Sequence, residues 1–133
     1  VFDYVVQPSN GELQPWADLV PKFVMAGEPQ FANIVVPTVD FTRLTYLMDL
    51  VAKNGRAVLF VGSAGTGKSI LVREYLQNVG DGILHTNINM NYYTDAAALQ
   101  QQLERPIDKR SGKTYGPPPG KKLIYFIDDL NMP

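Results

Sequence analysis

The 133-residue sequence has no cysteine. Disulfide frameworks and thiolate metal sites are thereby excluded, and a reducing, intracellular setting is the expectation. It has one histidine, His85, with no acid at metal-ligand spacing, which reads as an ordinary strand residue. An excess of positive charge is also missing. Twelve Lys and Arg against thirteen Asp and Glu leave a net charge of −1, without the electrostatic footprint of a general nucleic-acid binder. Long apolar runs are missing too: "AVLFVG" and "LIYFI" fall far short of the roughly 20 residues a membrane helix needs, so no membrane role is expected. The start, "VFDYVVQPSNGELQPW", has neither the basic flank nor the apolar centre of a signal peptide. It also lacks an initiator Met, and the chain is expected to be part of something longer. No internal repeat is present. What remains is a 45% hydrophobic composition that suits one domain with a real core.

Residues 1–37 are punctuated by prolines at 8, 15, 21, 29 and 37 and by the turn cluster "SNGE". They read as short extended pieces and loops, with Trp16 and Phe23 as anchors buried against a neighbour. From residue 38 the pattern changes. Thr38 or Asp40 caps a helix in which Phe41, Leu44, Leu47, Met48 and Val51 recur every three or four positions, and Asn54-Gly55 ends it. "RAVLFVG" follows as a strand buried on both faces. Helical spacing resumes over Lys68 to Val79, where Ile70, Leu71, Tyr75 and Leu76 are apolar while Arg73, Glu74 and Gln77 are polar. "GILHTNINM" reads as a second strand and "DAAALQQQLERP" as a helix capped by Thr94. "DKRSGKTYGPPPGKK" reads as a loop or hairpin tip whose basic residues are solvated, and "KLIYFIDDL" as a third buried strand. Strand, helix, strand, helix, strand is the order of an α/β layer fold with a parallel sheet.

Between the first strand and its helix stand Gly62, Ser63, Ala64, Gly65, Thr66, Gly67, Lys68 and Ser69, the pattern G-x-x-x-x-G-K-[S/T]. The chemistry needs these residue types. Glycines at 62, 65 and 67 let the backbone curl with positive φ and gather N–H groups around one anion. Those donors open a helix, whose dipole also favours negative charge. Lys68 supplies a mobile positive charge for the β- and γ-phosphates, and Ser69 a hydroxyl for Mg²⁺. At the end of the third strand, Asp128 would fix the metal and its waters. Asp129 stands where many ATPases place the glutamate that polarises the attacking water, one methylene shorter. A slow site is therefore expected, because a misplacement of about 1 Å can lower a rate about 100-fold.

"VVPTVDFTRLTYLMDLVAKNGRAVLFVGSAGTGKS", followed by "DKRSGKTYGPPPGKKLIYFIDDLNMP", resembles the dynein heavy chains, the AAA+ microtubule motors. The resemblance covers nearly all of the chain. It is nearest to the third of the six AAA+ modules of the motor ring, and "FIDDLNMP" is similar to the axonemal type. The resemblance implies a P-loop NTPase (AAA+) fold, a three-layer αβα arrangement with strand order 5-1-4-3-2, truncated here after the third, Walker B strand. Residues 1–37 would then be a proline-rich approach or inter-module linker, and 38–133 the N-terminal portion of the AAA+ large subdomain. Val36, Pro37 and Thr38 would lie against the adenine of ATP or ADP, Gly62 to Ser69 would cradle its phosphates, and Ser69 and Asp128 would serve Mg²⁺. Lys68, Asp128 and Asp129 would be the catalytic set. The partners implied are the neighbouring modules of the same heavy chain, the microtubule through a distant stalk, and dynein intermediate and light chains. The setting implied is the cytoplasm and cytoskeleton, in the axoneme of a cilium or flagellum.

Three functions follow for test: an ATP-hydrolysing motor module, whose isolated fragment lacks the helical lid and arginine finger and so turns over little; a nucleotide-binding regulatory or structural module with negligible turnover; and an AAA+ remodelling ATPase outside the dyneins.

Overall fold

The computed structural model describes residues 2–24 and 34–132. The expectations for Val1, for residues 25–33 with Pro29, and for Pro133 lie outside the described residues. The chain divides into two compact units, Val1–Leu71 and Val72–Pro133.

In the first unit, β1 (Tyr4–Val6) pairs antiparallel with β2 (Leu13–Pro15), Val5 standing opposite Gln14. The turn between them closes through Gln7 N–H to the Glu12 carbonyl at 2.8 Å and uses Gly11 at φ +74. A 3-10 turn, Trp16–Leu19, follows at once. It lays Trp16, only 5% exposed, edge-on against Tyr46 with ring centroids 5.3 Å apart. An aromatic pair of this geometry is worth about 0.5–1.5 kcal/mol beyond its area, so Trp16 is the anchor its composition suggested. Phe23 is not: it is 46% exposed.

Helix α1 spans Val39–Lys53. Of the two candidate caps, Thr38 is used, its hydroxyl accepting from the Phe41 N–H at 3.2 Å. The stop is at Asn54-Gly55. Gly55, at φ +67, donates to the Ala52 carbonyl (2.9 Å) and Arg56 to that of Val51 (3.1 Å), the double bond of a left-handed helix stop. Met48 is the buried residue of this helix.

The expected first strand is a correction. Residues 57–61 form no strand, and no described strand pairs with them. A strand owes its stability to a neighbour that satisfies its backbone groups and covers its side chains. Here Leu59 is 73% and Val61 86% exposed, so an apolar run that reads as doubly buried lies open. Among the described residues the parallel sheet therefore has two strands rather than three.

Helix α2, Lys68–Asn78, carries the chain from the first unit into the second. In the second unit, β3 (Ile83–Asn89) and β6 (Lys122–Asp128) pair parallel, without a register shift, from Ile83 opposite Lys122 to Asn89 opposite Asp128. Ile88 is fully buried, and Leu76 and Met90 nearly so. Burying a side chain such as Ile88 stabilises by about 1.5–3 kcal/mol.

The crossover between β3 and β6 contains α3 (Ala96–Glu104) and the exposed hairpin of β4 (Asp108–Ser111) and β5 (Thr114–Gly116). The cap of α3 is Asp95, whose carboxylate accepts from the Ala98 N–H at 2.7 Å. The expected Thr94 instead accepts from the Asn91 N–H at 3.0 Å, holding the loop before the helix. The Tyr125 hydroxyl of β6 donates to the Leu103 carbonyl of α3 at 2.6 Å, and burial pushes its pKa above the usual phenol value. No helix of the described residues is long and apolar enough to cross a membrane.

Candidate nucleotide site

The glycine loop is built as its composition requires, with one exception. Gly65 and Gly67 sit at φ +78 and +83, where a side chain is strained, and the Gly67 carbonyl accepts from Leu71 N–H at 2.9 Å to open α2. Gly62 has no positive φ. A Cβ there would make ordinary 3.8 Å contacts with Lys68 and Thr66, so neither strain nor space within the loop demands glycine. The first N–H groups of α2 have no carbonyl one turn back in the helix, and the helix dipole places partial positive charge among them.

Lys68 lies across the loop it belongs to. Its ammonium donates to the carbonyls of Gly62 (2.9 Å) and Ser63 (2.6 Å) and to the Thr66 hydroxyl (3.2 Å), which itself donates to the Ser63 carbonyl at 2.9 Å. The cation is thus gathered against the loop by neutral acceptors. Those are weaker partners than the charged oxygens of a phosphate, for which the same ammonium can be exchanged. Val36 is exposed and Pro37 half-buried, while the Thr38 hydroxyl is engaged in capping α1.

The acids belong to the second unit. Asp128 ends β6, and its main-chain carbonyl accepts from Met90 N–H at 3.0 Å, which ties the strand end to its neighbour. Its carboxylate is held at both oxygens. Oδ1 accepts from the Asp129 N–H at 3.2 Å, and Oδ2 faces a guanidinium nitrogen of Arg73 at 3.4 Å. Asp129 is the one non-glycine residue at positive φ among the described residues, at +54. Asp and Asn tolerate that conformation best, which gives position 129 a reason to hold aspartate. A turn follows, closed by Met132 N–H to the Asp129 carbonyl at 2.9 Å.

Arg73 went unnoticed in the sequence, where it was one of several polar residues on the helix surface. A usable signal was there: Arg73 is four residues after Ser69, hence on the same helix face.

Ser69 carries a hydroxyl and Asp128 a carboxylate, each an oxygen donor of the kind a hard divalent ion takes. The described residues contain no cluster of three or more His, Cys, Asp or Glu able to cage a metal. Hydroxyl and carboxylate oxygens are donor types that Mg²⁺ takes alongside phosphate oxygens and water.

A phosphate-loop sequence curled by two left-handed glycines into the head of a helix, and a parallel strand ending in aspartate, define an α/β protein of the P-loop class. Residues 23–133 match the family described as P-loop containing dynein motor region, and the chain belongs to that family. It is 44% identical over 133 residues to a ciliary dynein beta chain of Heliocidaris crassispina. It is also 44% identical over 134 residues to dynein axonemal heavy chain 9 of Homo sapiens, and 44% over 135 to the flagellar outer arm dynein beta chain of Chlamydomonas reinhardtii. Each match covers all of this chain and 3% of the relative's length. Family membership disposes of the remodelling ATPase outside the dyneins.

Proposed function

We propose that this chain is the N-terminal part of an AAA+ module, the third of the ring, in an axonemal dynein heavy chain. There it binds ATP or ADP with Mg²⁺ and hydrolyses ATP slowly, to regulate movement along microtubules in a cilium or flagellum. The observation that carries the reading is the loop Gly62–Ser69, with left-handed Gly65 and Gly67 and with Lys68 gathered onto it at the head of α2. Lys68 would take the β- and γ-phosphates, Ser69 and Asp128 the Mg²⁺, and Val36, Pro37 and Thr38 the adenine. When bound, the ion would neutralise charge on the phosphates; the loop, the lysine and the acids would bind and orient them. Residues 1–37 would serve as the approach segment and 38–133 as the start of the large subdomain. The neighbouring modules of the heavy chain would complete the site and the open flank of residues 57–61. The microtubule, through a distant stalk, and the intermediate and light chains would be the wider partners.

Asp129 favours the second reading, a regulatory site with negligible turnover, because its side chain is one methylene short of the usual base. Phosphate release and microtubule release by the intact heavy chain, comparing Lys68→Ala and Asp129→Asn with the parent, separate the two. A site that hydrolyses loses phosphate release in both variants. A purely regulatory site keeps bulk turnover in both, while Lys68→Ala alters microtubule release. If calorimetry on an intact ring with its other sites silenced finds no uptake of ATP or ADP, both readings fail.

A further inference from the structure

We infer that Arg73 is a positioning residue that competes with the metal for Asp128, so that this site demands more Mg²⁺ than its carboxylate alone would require. The inference rests on the proposed reading of Asp128 as the metal carboxylate. The geometry lies wholly in the second unit: the guanidinium is 3.4 Å from Asp128 Oδ2, while Oδ1 is taken up by the Asp129 N–H. Arg73 is 51% exposed and Asp128 19%, so the pair sits at the edge of solvent, where contact is easily broken.

Two cations then contend for one carboxylate. A metal arriving with a nucleotide must push the guanidinium aside or accept a positive charge next to it, and either outcome raises the metal concentration needed. An ion pair this exposed is worth a factor of about two to five in an equilibrium constant, which bounds the effect. The other side of the exchange is that Arg73 fixes the carboxylate before any nucleotide arrives.

The test is nucleotide binding to the intact heavy chain, other sites silenced, titrated with Mg²⁺. Arg73→Gln should lower the Mg²⁺ concentration for half-maximal ATP binding by about two- to five-fold, and leave ATP affinity in EDTA unchanged. Arg73→Met, which keeps the aliphatic stem, should do the same, and Arg73→Lys, which keeps the charge, should resemble the parent. An unchanged or increased Mg²⁺ requirement in Gln and Met variants that assemble normally overturns the inference. So does an effect of Arg73→Gln that persists in an Asp128→Asn background. If Asp128→Asn by itself keeps the parent's Mg²⁺ dependence, the metal role of Asp128 fails instead, whatever Arg73 does.

Discussion

Replacing Asp129 by glutamate separates two physical effects that meet at one residue. The added methylene extends the carboxylate by roughly the 1 Å that can be worth about 100-fold in rate, or about 2.7 kcal/mol of barrier. The backbone opposes the change, because position 129 sits at φ +54. An ordinary L-residue there costs about 1–2 kcal/mol, and aspartate escapes part of that. That strain is present before and during the reaction, so it cancels from the rate and appears as lost stability. Single-turnover phosphate release at this site, in an intact heavy chain with its other sites silenced, should therefore rise by about 10- to 100-fold. Local hydrogen exchange around residues 128–132 should quicken at the same time. Asp129→Asn keeps the conformational tolerance but loses the charge; it should leave exchange unchanged and lower turnover. Hydrolysis that is unchanged or slower in Asp129→Glu, with ATP affinity intact, would refute the proposal that the short side chain at 129 limits turnover.

Gly67→Ala should weaken nucleotide binding by about tenfold, since φ +83 strains any Cβ and the loop must shift its donors; Gly80→Ala, with open space and no positive φ, is the neutral comparison in the same calorimetric assay. Thr38→Ala removes the α1 cap and should cost about 1 kcal/mol, seen as faster amide exchange in the first turn at Phe41. Tyr125→Phe should cost about 1 kcal/mol through the lost bond to Leu103. Because burial raises the Tyr125 pKa, the fold favours the neutral phenol; its contribution is complete below the ordinary value of about 10 and is lost as pH climbs through the raised one. Thermal unfolding of the parent should fall more steeply than that of Tyr125→Phe at the alkaline end.

Much of this was legible in the sequence because the signals were local. The Thr38 cap, the Asn54-Gly55 stop and the α2 pattern each depend on residues within one or two turns, and the structure uses all three. The strands β3 and β6 were legible from apolar runs that find each other. Residues 57–61 carry an equally strong run, yet whether a segment is a strand is decided by what lies beside it, and nothing in "AVLFV" reports that. The α3 cap was misplaced by one position because Thr94 and Asp95 are both good caps. Only the loop geometry, which turns Thr94 toward Asn91, distinguishes them. Arg73 was missed for the same reason: the carboxylate it faces lies 55 positions away.

The unshifted ladder from Ile83–Lys122 to Asn89–Asp128 has a consequence for how such a chain can change. Slipping β6 by one place would present Ile127 or Asp129 where Asp128 stands and turn the acid to the opposite side of the sheet. What counts the acid into place is hydrogen bonding to β3, not the number of residues travelled in between. Lineages are therefore free to lengthen or shorten the basic hairpin, while a single residue inserted within either strand would misdirect the carboxylate.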